Sequence, residues 1–194
     1  MLFRQNTTVL SEQEIIEGCK QGKTKHQAAL YERYSAKMFA VCLRYLGDYH
    51  TAEDILQDGF IKILSNIDKY RGEGSFEGWI RRIFINMAIE SQRRNTNTYS
   101  IDEPEKPDLH VYEETTIDRI AADDLLRFVQ ELSPGYRAVF NLYAIEGYTH
   151  KEIAEMLNIT EGTSKSQLAR ARGLLQQKLA EHYPQSVENY GHTF

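Results

Sequence analysis

The sequence predicts an all-α protein built from two small helical domains that an acidic linker joins. Apolar residues recur at three- and four-residue steps in several segments, as on one face of a helix. The N-terminal half shows no strand-like alternation, and the composition changes abruptly near residue 95. Apolar residues make up 41% of the chain and charged residues 26%, which supports packed cores and excludes a disordered polyelectrolyte.

The first two helices of the predicted N-terminal domain, residues 1–94, have clear boundaries. Ser11 and Glu14 form an S-x-x-E capping box that predicts a short helix ending near Gly22. A longer helix is predicted from about residue 25 to residue 46, and Gly47 is expected to end it. Its apolar line comprises Leu30, Phe39, Cys42, Leu43 and Leu46.

Two more helices complete this domain. Thr51 and Asp54 predict the start of a third helix, whose apolar face comprises Ile55, Gly59, Phe60, Ile63 and Ile67. After a glycine-containing loop at 69–75, a fourth helix is predicted from Phe76 to about Arg94. Its apolar stripe comprises Phe76, Trp79, Ile80, Ile83, Phe84 and Met87.

Residues 95–117 are predicted to form an extended linker. Six acidic residues against one lysine give this stretch a charge of −5, which equals the formal net charge of the whole chain. Everything outside the linker is therefore neutral in sum, so the overall acidity does not exclude a nucleic-acid partner. The simplest role of the linker's acidity is solubility. The composition of the tail, residues 182–194, predicts disorder.

The C-terminal domain, residues 118–181, contains the pattern of a helix-turn-helix. Ser133 and Pro134 are an N-cap and a first-turn proline that open a helix ending at Gly147. A second capping box, T-x-x-E from residue 149 to residue 152, then opens a short helix. Asn158 suits a left-handed helix end, and Thr160 is expected to cap a longer helix that runs to about residue 181.

The second helix of this pair has a composition suited to the DNA major groove. No acidic residue occurs between residues 162 and 180, where the basic residues are Lys165, Arg170, Arg172 and Lys178. Short polar side chains lie near its N-terminus, the end that contacts base edges in this motif: Thr163, Ser164, Ser166 and Gln167. We therefore predict DNA binding. The alternative is a helical hairpin with a solvated basic face.

Charges in the N-terminal domain separate by helix. The third helix is acidic at its start, and the fourth carries Arg81, Arg82, Arg93 and Arg94. Tyr70, beside the glycine loop, is the better candidate for stacking on an unpaired base, a contact typically worth ~1–3 kcal/mol. The spacing of Phe76 and Trp79 places both in the core instead.

Three blocks of this sequence resemble the extracytoplasmic-function (ECF) sigma factors of bacterial RNA polymerase. The stretch from Ala52 to Lys62 resembles the helix of that family that binds core polymerase. The stretch from Tyr70 to Asn86, together with Arg93 and Arg94, is similar to the segment that recognises the −10 element. Residues 132–172 are similar to the domain that recognises the −35 element. The resemblance covers residues 10–94 and 118–180.

The resemblance implies a specificity subunit that binds core polymerase and promoter DNA and assists melting. It implies core-polymerase binding by Asp54, Gln57, Asp58 and Phe60. It implies −10 contacts by Tyr70, Arg71, Ser75, Asn86, Arg93 and Arg94. It implies −35 contacts by Lys165, Ser166, Arg170 and Arg172, to which the polar Thr163 and Gln167 are added. Two departures are Ser164, where the family usually has valine, and Gln167, where arginine is frequent. The family also implies an anti-sigma factor as partner.

The sequence contains no recognisable catalytic centre, so neither enzymatic activity nor a cofactor or metal is expected. No nucleophile–base pair, phosphate-binding loop or zinc-like spacing occurs. Cys19 and Cys42 are expected to be reduced thiols, and the lack of a signal peptide or an apolar span predicts a cytoplasmic protein. Two alternatives remain open: an operator-binding helix-turn-helix regulator, and a nucleic-acid-processing enzyme.

Overall fold

The computed structural model describes residues 10–96 and 122–183, and these two ranges contain helices, turns and loops without a β-strand. The α-helices of these ranges are α1 Glu12–Lys20, α2 Thr24–Leu46, α3 Tyr49–Asn66, α4 Phe76–Thr96, α5 Ala122–Gln130, α6 Pro134–Phe140, α7 His150–Leu157 and α8 Glu161–His182. A 3₁₀ turn, Ile67–Lys69, follows α3, and a π-helical turn, Asn141–Ile145, follows α6. The prediction of an all-α fold is confirmed.

The described residues divide into two compact units, the first within 10–42 and 50–87 and the second within 43–49 and 88–183. These units differ from the predicted domain limits, because 43–49 and 88–94 group with the second unit. The domain limits 1–94 and 118–181 stay predictions. Most of the predicted linker 95–117 and of the tail 182–194 lies outside the described residues, apart from the ends of α4 and α8.

The start of α1 and the end of α2 agree with the sequence. Glu14 Oε2 accepts hydrogen bonds from the backbone N–H of Ser11 at 2.8 Å and from its hydroxyl at 2.7 Å, and the backbone N–H of Glu14 donates to Ser11 Oγ at 3.2 Å. This reciprocal pattern confirms the first capping box. Gly47 follows α2 with φ of 72°, a conformation that favours glycine.

The predicted start of α3 is wrong by two residues. The helix begins at Tyr49, so Thr51 and Asp54 lie inside its first turns and do not form a capping box at its start. Gly47, in the left-handed conformation, ends α2, and Asp48 alone separates it from α3. The connection is therefore too short to leave Thr51 outside the helix.

The core of the first unit is formed by apolar faces of α1, α2, α3 and α4. Among its fully buried side chains are Leu30, Met38, Ile63, Phe76, Ile80 and Phe84. The ring of Phe60 lies 4.8 Å from that of Tyr31 and 5.5 Å from that of Phe84, measured between centroids. Burial of such aromatic rings contributes strongly to helix packing. The opposite face of α3 is exposed and includes Asp54, Gln57, Asp58 and Ile61.

The second unit packs α5, α6 and α7 against the long α8. Its cluster of buried residues comprises Phe128, Val129, Leu132, Ala171 and Leu175. Ser133 precedes α6, and Pro134 occupies its first turn as predicted, although the Ser133 side chain makes no capping hydrogen bond. The predicted single helix to Gly147 is instead α6 followed by the π-helical turn, and Gly147 ends it with φ of 77°.

Candidate nucleic-acid interface

Helices α7 and α8 form the predicted helix-turn-helix, with each boundary fixed by a local hydrogen bond. Thr149 and Glu152 make a second reciprocal capping box at the start of α7. Asn158 ends α7 in the left-handed conformation, with φ of 54° and ψ of 48°. Thr160 then caps α8 by accepting a hydrogen bond from the backbone N–H of Thr163 at 3.0 Å. The sequence signals for this motif are confirmed.

The outer face of α8 presents most of the residues that were assigned to −35 recognition. Lys165, Ser166, Arg170 and Arg172 are exposed, whereas Thr163 and Gln167 are half-buried. The two arginines are steadied by tyrosines: Arg170 Nη1 donates to Tyr136 Oη at 3.3 Å, and Arg172 Cζ lies 5.7 Å from the centroid of the Tyr143 ring. The side chain of Ser166 donates to Thr163 O at 3.0 Å. The exposed part of α8 therefore carries polar and basic side chains, of a kind that can contact phosphates and bases.

Ser164 is not part of this face, although its position near the start of α8 suggested a base contact. Its side chain is fully buried, and its Oγ lies 2.9 Å from His150 Nδ1 on α7. The inward direction follows from helix periodicity, since Ser164, Leu168 and Ala171 occupy the face of α8 that packs inward. Ser164 therefore joins the two helices of the motif and is not part of the exposed surface of α8.

The loop before α4 holds Tyr70 in a defined position. Its hydroxyl donates to Gly74 O at 2.9 Å, which closes the loop on itself. Its ring is half-buried and lies 4.9 Å from the ring of Phe76 and 5.6 Å from that of Trp79. Gly72 and Gly74 have φ near +80°, the left-handed region that lets so tight a loop form. A half-buried ring held in this way is suited to stacking on a base.

The other −10 candidates lie along this loop and α4. Arg71 and Asn86 are exposed, and Ser75 Oγ accepts a hydrogen bond from the backbone N–H of Gly78 at 2.9 Å. Ser75 is therefore engaged in capping α4. Arg93 and Arg94 are exposed, and Arg94 pairs with Glu90. Asn86 and Arg93 are seven residues apart on one helix, so they share a face about 10 Å apart.

Phe76 and Trp79 were predicted to be core residues, and this is confirmed for Phe76 alone. The Phe76 side chain is fully buried, whereas Trp79 is half-buried. Their rings are stacked, with 5.8 Å between centroids and 14° between planes. Trp79 thus contributes an aromatic edge to the surface beside Tyr70.

The acidic face of α3 carries three of the four residues that were assigned to polymerase binding. Asp54, Gln57 and Asp58 are exposed, at three- and four-residue steps on one side of the helix. Phe60 departs from that assignment, because its side chain is only 5% exposed and its ring packs against Tyr31 and Phe84. A side chain buried in this way supports the helix and does not form a contact surface.

Ile61 is a surface residue that the sequence reasoning missed. Its side chain is 64% exposed, which is unusual for isoleucine. It lies seven residues after Asp54, four after Gln57 and three after Asp58, so it lies on the same face of α3, about one turn beyond Asp58. The available signal was its spacing, because Leu56, Phe60, Ile63 and Ile67 define the buried face and Ile61 does not fit their periodicity.

Neither cysteine offers a reactive site. Cys19 and Cys42 are free and buried, and burial raises the pKa of both thiols, that of Cys42 to about 12. Across residues 10–96 and 122–183, no cluster of three histidine, cysteine or acidic side chains is placed to hold a metal ion. In the same ranges, no helix combines the length and apolarity needed to cross a membrane.

The chain is similar to bacterial sigma factors in both of its helical parts. Residues 30–98 match the family model of Sigma-70 region 2, and residues 122–175 match that of Sigma-70, region 4. The ECF RNA polymerase sigma factor SigW of Bacillus subtilis is 30% identical over 178 residues, which cover 86% of this chain and 95% of that protein. SigE of Mycolicibacterium smegmatis, also an ECF RNA polymerase sigma factor, is 30% identical over 82% of this chain, and the match spans 64% of the relative's length.

A solved structure shares the fold. The sigma factor RpoE from Bartonella quintana, in complex with the anti-sigma factor NepR, superposes with a TM-score of 0.51. The alignment has 21% sequence identity and covers 77% of this chain and 93% of that one. The two region matches agree with the extent of the match to SigW and with the position of the helix-turn-helix. On this evidence, the chain belongs to the ECF sigma factor family.

Proposed function

We propose that this chain is a promoter-specificity subunit that docks on core RNA polymerase through α3, reads the −35 element with α8 and helps to open the −10 element with α4 and its preceding loop. The observation that carries the proposal is the exposed basic face of α8, held by two capped helix starts and a left-handed turn. Polymerisation chemistry would belong to the core enzyme, and this chain would supply binding energy and selectivity.

The −35 role rests on the charge and polarity of α8. Lys165, Ser166 and Gln167 lie near its N-terminus, where side chains of a recognition helix meet base edges. Arg170 and Arg172 follow on the next turns and suit phosphate oxygens, while Thr163 supports the start of the helix through its bond to Thr160. Neutralising phosphates releases counterions, so duplex binding should weaken steeply with salt.

The −10 role rests on the loop of Tyr70 and on α4. A base that leaves the duplex stack costs a few kcal/mol, which stacking on the Tyr70 ring and hydrogen bonds from Asn86 would offset. Arg71, Arg93 and Arg94 would hold the strand backbone. Ser75 would act through the helix start that it caps.

The polymerase-binding role rests on the exposed face of α3. Ile61 lies about one turn beyond Asp58 on the face of α3 that carries Asp54, Gln57 and Asp58, so an exposed apolar side chain borders an acidic patch. Binding interfaces combine apolar anchors with polar surroundings. The acidic patch favours a basic partner surface, with a small apolar depression beside it for Ile61. Phe60 would support this face from beneath, since it packs against Tyr31 and Phe84.

We also propose that an anti-sigma factor regulates this chain. The similar RpoE structure is a complex of a sigma factor with an anti-sigma factor, so a protein of the same fold binds such a regulator. A regulator that covers α3 or α8 would block polymerase or promoter DNA directly.

Competition for purified bacterial core polymerase tests the docking role. A fluorescently labelled wild-type chain is displaced by unlabelled variants, which yields their relative affinities. Ile61→Ala and the pair Asp54→Asn with Asp58→Asn should each weaken binding by about tenfold or more, as expected for an exposed apolar anchor and the acidic patch beside it. The control is the pair Glu17→Gln with Asp68→Asn, which removes the same charge from exposed positions on α1 and the 3₁₀ turn.

The outcome separates a docking face from general charge attraction. Equal losses in the Asp54/Asp58 pair and the control pair would contradict the assignment of α3. Far-UV circular dichroism checks that any variant with weakened binding is still folded. Full affinity of all variants would contradict the docking role altogether.

A further inference from the structure

One tyrosine side chain connects the two helices of the helix-turn-helix to the turn that precedes them. The ring of Tyr143 stacks on that of His150, with 4.6 Å between centroids and 22° between planes. The same ring lies 5.7 Å from the guanidinium carbon of Arg172. Tyr143 thus contacts both the first residue of α7 and one of the exposed arginines of α8.

A hydrogen bond closes this set of contacts into a network. His150 Nδ1 lies 2.9 Å from Ser164 Oγ, and Ser164 is fully buried on the inner face of α8. Tyr143 itself belongs to the π-helical turn Asn141–Ile145, a local distortion that is frequently found at functional sites. Three consecutive elements therefore meet through four side chains: Ser164 is buried, Tyr143 and His150 are half-buried, and Arg172 is exposed.

We propose that Tyr143 is a positioning residue for −35 recognition, which holds Arg172 ready for the DNA backbone without contacting DNA itself. This inference rests on the proposed function, since it assigns a supporting residue to the same face of α8. An aromatic ring attracts a guanidinium at this distance and also restricts its rotamers. The stacked His150 fixes the ring in turn, because its own imidazole is held at Nδ1 by the hydrogen bond with Ser164 Oγ.

The size of the effect follows from the entropy of one long side chain. Immobilising a rotamer-rich side chain at an interface typically costs about 0.5–1.5 kcal/mol, equivalent to about 2- to 12-fold in affinity. A guanidinium that is already ordered avoids part of this cost on binding. Loss of the Tyr143 ring should therefore weaken promoter binding by about 2- to 10-fold and should do so only while Arg172 is present.

A double-mutant cycle on the full chain in complex with core polymerase tests this dependence. The readout is affinity for a promoter fragment on which the wild-type chain directs transcription. Tyr143→Leu removes the ring, Tyr143→Phe keeps it, and Tyr148→Leu makes the same change five residues away as a control. Tyr143→Met is a second ring-free variant, for use if Tyr143→Leu unfolds. Each variant is also combined with Arg172→Ala.

The proposal expects that Tyr143→Leu weakens binding 2- to 10-fold, that Tyr143→Phe retains it, and that neither ring-free variant adds to the loss caused by Arg172→Ala. An additive loss, or an equal loss in Tyr148→Leu, would overturn the positioning role and leave the proposed function intact. A wild-type complex that binds this fragment no better than a scrambled duplex would overturn the −35 assignment and this inference together.

Discussion

Substituting Gly59 by alanine should destabilise the first unit, although alanine is the better helix former. Gly59 lies on the buried face of α3, where a Cβ atom would stand 2.0 Å from Cε1 of Phe84. Carbon atoms pack at about 3.5–4.0 Å, so the ring or the helix must move by roughly 1.5–2 Å. The Phe84 side chain is fully buried, so its ring can move only by displacing neighbouring core atoms.

The expected magnitude follows from two opposing terms. Forcing an extra methyl group into a packed core typically costs about 1–3 kcal/mol, and replacing a helical glycine by alanine returns about 1 kcal/mol. Because the approach of 2.0 Å is far below contact distance, the cost should lie in the upper part of this range, at about 2–3 kcal/mol, so the net loss in the free energy of unfolding should be about 1–2 kcal/mol. Urea unfolding followed by fluorescence measures it directly, because Trp79 is the one tryptophan of the sequence and lies in the first unit.

A matched substitution separates crowding from helix propensity. Gly162 is exposed on α8, and the nearest atom to its added Cβ is Thr160 Oγ1 at 3.7 Å. Gly162→Ala should therefore raise stability by up to about 1 kcal/mol, as followed by circular dichroism. Combining Gly59→Ala with Phe84→Leu should cost less than the sum of the two single changes. A Gly59→Ala protein as stable as the wild type would refute the reasoning.

Three further expectations concern DNA binding, opening and titration. Arg172→Ala should weaken binding to all −35 duplexes and reduce the salt slope by about one, which titration at several salt concentrations would measure. Asn86→Ala should impair opening of the −10 element, read by permanganate reactivity of unpaired thymines, more than it impairs polymerase binding. The hydrogen bond from Lys178 lowers the pKa of Glu131 below its ordinary value of 4.5. The stability that this pair contributes is present at neutral pH and is lost as the pH falls through the lowered pKa, so the urea midpoints of wild type and Glu131→Gln should converge in acid.

Local signals explain why so much of the helix layout was predictable. The capping boxes at Ser11 and Thr149 and the left-handed Asn158 depend on residues within four positions, and the structure contains all three. Thr51 shows the limit of this reasoning. Its spacing to Asp54 resembles a capping box, yet the turn at Gly47 starts α3 earlier.

Side-chain direction within the candidate site was harder to predict because it depends on packing between elements. Phe60 and Ile61 are neighbours in a sequence motif, but the rings of Tyr31 and Phe84 bury the first and leave the second exposed. Ser164 has the polarity of a surface residue, but its hydroxyl is buried against His150 on α7. The contact of Tyr143 with Arg172 joins residues 29 positions apart, which no periodicity within a single helix indicates.

Run-off transcription tests the central claim most directly. Purified bacterial core polymerase is supplied with a pool of promoter fragments from the source genome, with and without this chain. If the chain is a sigma factor, we expect discrete new start sites that require the chain and disappear when Asp54 and Asp58 are both neutralised. A chain that yields no transcripts, yet binds specific duplexes by itself in a salt-sensitive way, would contradict the account and indicate an operator-binding regulator.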